Sequence, residues 1–175
     1  DLPLHDQRVR RLFTSKPPFS FVYDGKASSE LLKDWKAERR ERVAEGRQPR
    51  ADERGHELVW TDPKTGLQVR CVTVEYQDFP TVEWTLYFKN TGATDTPIIE
   101  KIQTLDIELD RGDTGEFLLH HAVGSPANGS DYGPLETTLA PKATKRIGGA
   151  GGRPTNSDWS YFNLEWPPGS PREIG

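Results

Sequence analysis

The sequence predicts an all-β protein, and three observations carry that expectation. Leu, Ile, Val and Phe together make up only about a fifth of the 175 residues, whereas Trp, Tyr and Phe make 10%. Leu-rich helical packing therefore gives way to aromatic and β-branched residues, which favour a pleated surface. The 16 Gly and 14 Pro fall mostly in clusters between short apolar runs, as turns between strands require. The runs themselves alternate apolar and polar residues and recur at a regular spacing, the pattern of a sandwich or a barrel. A chain of this length holds one domain of the usual ~150 residues.

The elements follow in order. Asp1–Pro18 is polar and basic, ends at Pro17-Pro18, and is expected as a weakly ordered arm. Phe19–Tyr23 (FSFVY) puts Phe19, Phe21 and Tyr23 on one face and runs into the turn pair Asp24-Gly25, which makes it the first strand. Ser28–Gly46 reads as helix on local propensity, with Ser at its start, Leu31, Leu32 and Trp35 at helical spacing, and Gly46 as a C-cap. Its apolar stripe stops at Trp35, so a charged strand from Trp35 to Val43 competes with the helix. Glu57–Thr61 and Leu67–Tyr76 flank Asp62-Pro63-Lys64-Thr65-Gly66, a hairpin loop with Pro early in the turn and Gly where a positive φ is needed. Thr81–Asn90 sets Val82, Trp84, Leu86 and Phe88 on one face against Glu83, Thr85, Tyr87 and Lys89 on the other, a half-buried alternation. In Pro97–Asp110, Leu105, Ile107 and Leu109 alternate while Ile98, Ile99 and Ile102 do not, which predicts a bulge near Lys101. Glu116–His121, Leu135–Leu139 and Tyr161–Trp166 complete the strands of a domain spanning 19–166, ahead of a polar, Pro-rich tail at 167–175.

Charge narrows the function. The 23 Lys and Arg against 27 Asp and Glu leave a net charge of −4. The basic stretches, Arg8 to Arg11 and Lys36 to Arg54, carry no aromatic ladder, so no nucleic-acid partner is expected. No apolar run approaches the ~18 residues of a membrane-spanning helix, and no membrane partner is expected. No signal peptide is visible in a chain that begins at Asp1, and both a cytoplasmic and a secreted setting stay open. The single cysteine, Cys71, allows no internal disulfide and lies in an apolar run, where a small core residue is the simpler reading than a nucleophile.

Two loops, Ala122–Pro134 and Gly148–Ser160, are about a dozen residues each, long enough to call for a function. Sugar recognition needs a flat ring to stack on a pyranose and fixed polar groups to bond its hydroxyls. Arg153, Asn156, Asp158, Trp159 and Tyr161 lie within nine positions, and Asn128, Asp131 and Tyr132 stand in the other loop. The competing structural reading has Trp159 and Tyr161 plugging the end of a sandwich while the polar residues cap turns. His120-His121 is a second candidate pair, but neighbours on a strand point to opposite faces and do not converge on one ion. His5 and His56 lack ligand spacing, so neither a metal nor another cofactor is expected. Glycosidases use two carboxylates. Glu75 with Glu83, or Asp106 with Asp158, are the pairs such chemistry would draw on, although Asp106, Glu108 and Asp110 also suit a solvated sheet face.

The segments FSFVYDGKASSELL (Phe19–Leu32), TDPKTGLQVRCVTVEYQDFPTVEWTLYFKNTG (Thr61–Gly92), TPIIEKIQTLD (Thr96–Asp106), EFLLHH (Glu116–His121) and GGRPTNSDWSYFNLEW (Gly151–Trp166) together resemble the N-terminal β-sandwich of α-galactosidase-like glycoside hydrolases of family 36. The resemblance implies an antiparallel, supersandwich-like β-sandwich with two long loops, and a strand rather than a helix near Trp35. In such enzymes the sandwich precedes a (β/α)₈ barrel that carries the catalytic aspartates, and no residue here corresponds to them. The implied function is that of a non-catalytic, carbohydrate-associated domain that binds an oligosaccharide or polysaccharide, or docks on a catalytic barrel. Trp159 and Tyr161 would stack, Arg153, Asn156 and Asp158 would bond hydroxyls, and Tyr132, His120 and His121 would assist. Two rivals stand beside this: a stand-alone hydrolase with a carboxylate acid/base pair, and a structural domain making only protein contacts. Where the family continues from NLEW into another apolar strand, this sequence has PPGSPREIG (Pro167–Gly175). That departure looks like a truncated or altered terminus and implies an open sheet edge suited to a homodimer or strand exchange.

Overall fold

A computed structural model describes residues 16–42, 53–76, 81–109, 111, 113, 115–150, 152 and 155–166. Among these residues the protein is all-β, with ten strands in three antiparallel sheets and one short helix. The strands are β1 (Ser20–Tyr23), β2 (Lys26–Ala27), β3 (Lys36–Arg42), β4 (Glu53–Thr61), β5 (Leu67–Tyr76), β6 (Val82–Asn90), β7 (Ile99–Gln103), β8 (Phe117–Ala122), β9 (Pro134–Leu139) and β10 (Asn163–Glu165), with helix α1 at Ser28–Asp34. They fall into two compact units, the first running to Glu108 and the second starting at Leu109. Among the described residues no helix is long and apolar enough to cross a membrane.

The first unit is a sandwich of a three-stranded sheet, β2-β1-β7, on a four-stranded one, β3-β4-β5-β6. Period-two alternation sends Phe19, Phe21 and Tyr23 inward, as the sequence predicts, onto Trp35, Trp60, Leu67, Val69 and Cys71. The rings meet edge to face, Phe21 on Phe88 at 5.4 Å, Phe19 on Trp60 at 5.8 Å and Tyr23 on Trp35 at 5.9 Å between centroids. Such pairs add ~0.5–1.5 kcal/mol each to what their buried area contributes. Between β4 and β5, Asp62 accepts from the Lys64 N–H and the Thr65 hydroxyl, while Gly66 takes φ +78°. A Cβ at Gly66 would stand 2.7 Å from the Gly92 nitrogen, so the turn needs glycine for space as well as for φ.

Two sequence expectations change here. The helix reading of Ser28–Gly46 holds only to Asp34, and of its remainder residues 43–46 lie outside the described residues. Trp35 is already extended (φ −80°, ψ 142°), and its N–H closes the last turn on the Leu31 carbonyl. From Lys36 the chain pairs residue by residue with β4, from Lys36 opposite Thr61 to Arg42 opposite Gly55. A continuous ladder on a neighbouring strand outweighs the helix propensity of Lys, Ala, Glu and Arg. The helix does start at Ser28, as expected, and this buried residue's hydroxyl accepts the Phe21 N–H. The bulge near Lys101 is present: Ser20 faces Gln103 and Val22 faces Glu100, so Phe21 alone opposes Lys101 and Ile102, with Lys101 at φ +50°. That bulge confines β7 to Ile99–Gln103, shorter than the expected Pro97–Asp110, whose last residue lies outside the described residues. The arm's residues 1–15, His5 among them, and the tail 167–175 also lie outside them.

The second unit is a three-stranded sheet, β10-β8-β9. Its central strand β8 buries Leu119 and His121, and Phe117 meets Trp166 edge to face at 5.4 Å. The expected strand Tyr161–Trp166 shrinks to Asn163–Glu165, matched with Leu118–His120.

Candidate functional site

The two long loops of the second unit extend its sheet instead of hanging free. Past β8, Val123 and Gly124 keep pairing on both sides. On one side the Val123 N–H donates to the Gly133 carbonyl and the Tyr132 N–H to the Gly124 carbonyl. On the other, Val123 bridges Asp158, and the Gly124, Ser125 and Trp159 N–H groups bond the carbonyls of Ser157, Thr155 and Ala122. A Cβ on Gly124 would collide with the Thr155 carbonyl, so this close pairing needs glycine.

Its consequence is that Tyr132 and Trp159, 27 positions apart, meet with ring centroids 4.4 Å apart and planes at 71°. Both stay open to solvent, Tyr132 at 51% and Trp159 at 38% exposure. Tyr132 sits at φ +60°, a left-handed conformation uncommon for an aromatic residue. Backbone strain of this kind costs ~1–3 kcal/mol and persists where surrounding structure holds it, often at binding sites.

The polar candidates divide. Asn128 Oδ1 accepts from the Ser130 N–H and hydroxyl, and Asp131 accepts from the Asn128 N–H and the Ser125 hydroxyl. These two side chains therefore close the turn that presents Tyr132. Asp158 accepts the Gly148 N–H at 3.2 Å, and the Ser157 hydroxyl donates to the Gly148 carbonyl, which staples the second loop across its own base. Asn156 is half-buried and its side-chain amide has no hydrogen-bond partner among the described residues. Arg153 lies outside the described residues. Tyr161, 71% exposed, makes no ring contact among the described residues and stands apart from the Tyr132–Trp159 pair.

The adjacent histidines separate to opposite faces, as their place on a strand requires. His120 lies on the open face between two carboxylates from flanking strands, Nε2 at 2.7 Å from Glu165 and Nδ1 at 3.3 Å from Glu136. His121 is buried, with Nε2 2.9 Å from the Thr137 hydroxyl and Nδ1 without a hydrogen-bond partner among the described residues. The sequence reading missed Glu136 and Glu165; the strand register that brings them to His120 was the signal for them.

The carboxylate pairs are otherwise engaged. Glu75 lies 3.4 Å from His56, and Glu83 accepts the Tyr76 hydroxyl at 3.1 Å. Asp106 belongs to the first unit and Asp158 to the second. Cys71 is buried in the sandwich core, and the loss of solvent pushes its thiol up to about 11 against a weaker opposing bond from Thr73. A thiol so shielded is protonated at neutral pH and a poor nucleophile. No protein-family model, curated protein or solved structure matches this chain.

Proposed function

We propose that the second unit binds carbohydrate, with the Tyr132–Trp159 pair as its stacking platform. The observation that carries this reading is an exposed aromatic pair fixed by backbone pairing between two long loops, with one ring on strained backbone. A pyranose offers an apolar face of C–H groups that stacks on an indole or phenol ring, and rings that are already held lose little freedom on binding. Asn156, three residues before Trp159, supplies an amide with donor and acceptor capacity, while Tyr161 is exposed two residues beyond Trp159 and suits contact with a longer chain. Asp158 serves by holding the loop, and His120 with its two carboxylates is a further polar group on the same sheet. The resemblance of the framework to the N-terminal sandwich of α-galactosidase-like hydrolases points the same way, toward a carbohydrate-associated domain that works beside a catalytic barrel.

One preparation tests this with two assays: turnover of a panel of aryl α- and β-glycosides, and tryptophan fluorescence titration with the corresponding oligosaccharides. The expected result is saturable quenching without turnover, lost in Trp159→Ala. A Trp159→Ala protein that binds the panel as the wild type does overturns the site. Turnover abolished by a single carboxylate-to-amide change would make the protein a hydrolase instead.

A further inference from the structure

The first unit holds a cavity of its own, about 820 Å³, between β1, helix α1 and the β7 bulge. That volume lies within the ~300–1,000 Å³ of small-molecule sites. Its accessible apolar lining comes from Pro17, Val22, Ala27 and Leu32, laid over the buried core rings of Phe19, Phe21 and Trp60. Its charged lining is one-sided, three lysines (Lys16, Lys33 and Lys101) against one carboxylate, Asp106. Lys16 approaches Glu108 only to 4.0 Å. Lys33 and Lys101 have no ion-pair or hydrogen-bond partner among the described residues.

Lys101 is the informative residue. Nothing in strand pairing asks for lysine in the left-handed region, where glycine is the unstrained choice, yet Lys101 occupies it at φ +50° as a bulge residue beside the cavity. Bulges recur next to binding sites because they re-aim a side chain. An apolar wall with unneutralised ammonium groups beside it is complementary to a molecule that is greasy at one end and anionic at the other. We propose that this cavity binds a small amphipathic monoanion, its apolar body against Pro17 and Leu32 and its acidic head at Lys33 and Lys101.

Isothermal titration of the full chain with decanoate, decanol and decyltrimethylammonium tests the proposal, since the three probes share a tail and differ in head charge. Saturable decanoate binding is expected, about tenfold tighter than for either other probe, the discrimination of a charge-assisted contact. Lys33→Glu should weaken decanoate binding about tenfold. Lys101→Gly should also weaken it, and because glycine suits φ +50° this variant should unfold no earlier than wild type. Equal binding of the anionic and cationic probes, unchanged affinity in both lysine variants, or no saturable decanoate binding each overturns the proposal.

Discussion

The two units use the same residue types to opposite ends. In the first, the aromatic side chains of FSFVY point inward, Phe21 with 2% of its surface exposed, and interlock with Trp35, Trp60 and Phe88. In the second, Tyr132 and Trp159 come closer still, 4.4 Å between centroids, but face water. What separates them is the backbone beneath. Nine- and ten-residue strands in register give the first unit a continuous inner face. The second joins shorter strands to long loops whose pairing is carried by Gly124 and its neighbours. Ring contact is therefore poor evidence of a core: in one unit it holds the fold, and in the other it builds a surface.

The largest expected effect lies in the first unit. Phe21→Ala removes a ring packed on Trp35 and Phe88 and should cost ~3–5 kcal/mol in urea unfolding; a loss under ~1 kcal/mol would erase the contrast between the units. Gly124→Ala comes next. It should separate the two loops by forcing Thr155 away, costing ~1–3 kcal/mol and abolishing glycan-induced quenching; retained quenching would break the link between loop pairing and site. Tyr132→Gly sharpens the comparison further. Relief of left-handed strain, ~1–2 kcal/mol, offsets a lost ring contact of ~0.5–1.5 kcal/mol, so thermal unfolding should stay near wild type while glycan affinity falls.

Two smaller effects concern titration in the first unit. The Cys71 thiol is raised to about 11 by burial, so the native protein holds that proton more tightly than the unfolded chain. Its contribution to stability is complete below the unfolded thiol's range and is lost as pH climbs toward 11. A thiol reagent at pH 8 should leave native Cys71 unmodified and label it on unfolding. Glu38 is the opposite case, held below the usual carboxylate range by hydrogen bonds from Lys36 and then Arg40. Its contribution is present above that range and fades on acidification, and because solvent screens this surface carboxylate and its two partners Glu38→Gln should flatten the acid limb of the stability curve only slightly.

The framework was legible in the sequence where the signal is local. Period-two alternation located β5 at its observed limits of Leu67–Tyr76, and the phase break among the isoleucines located the Lys101 bulge. The switch from helix to strand at Trp35 was harder to read, because KAERRER has helical propensity and its strand state depends on β4 beyond the intervening segment. The rings of the candidate site were visible as residue types, but their meeting was not. It arises from backbone bonds between 122–125 and 155–159, a pairing that no side-chain pattern announces. For the same reason Asp158 was expected to bond sugar hydroxyls, whereas it accepts the Gly148 N–H and holds its own loop.

The most direct test of the account is the oligosaccharide affinity of Trp159→Ala against wild type, measured on proteins whose thermal unfolding is first shown to coincide. The account predicts saturable binding in wild type and a Kd at least about tenfold weaker in the variant, the equivalent of 1.4 kcal/mol. Equal affinities, or no saturable binding in wild type, would contradict it and leave the exposed pair a structural closure of the two loops.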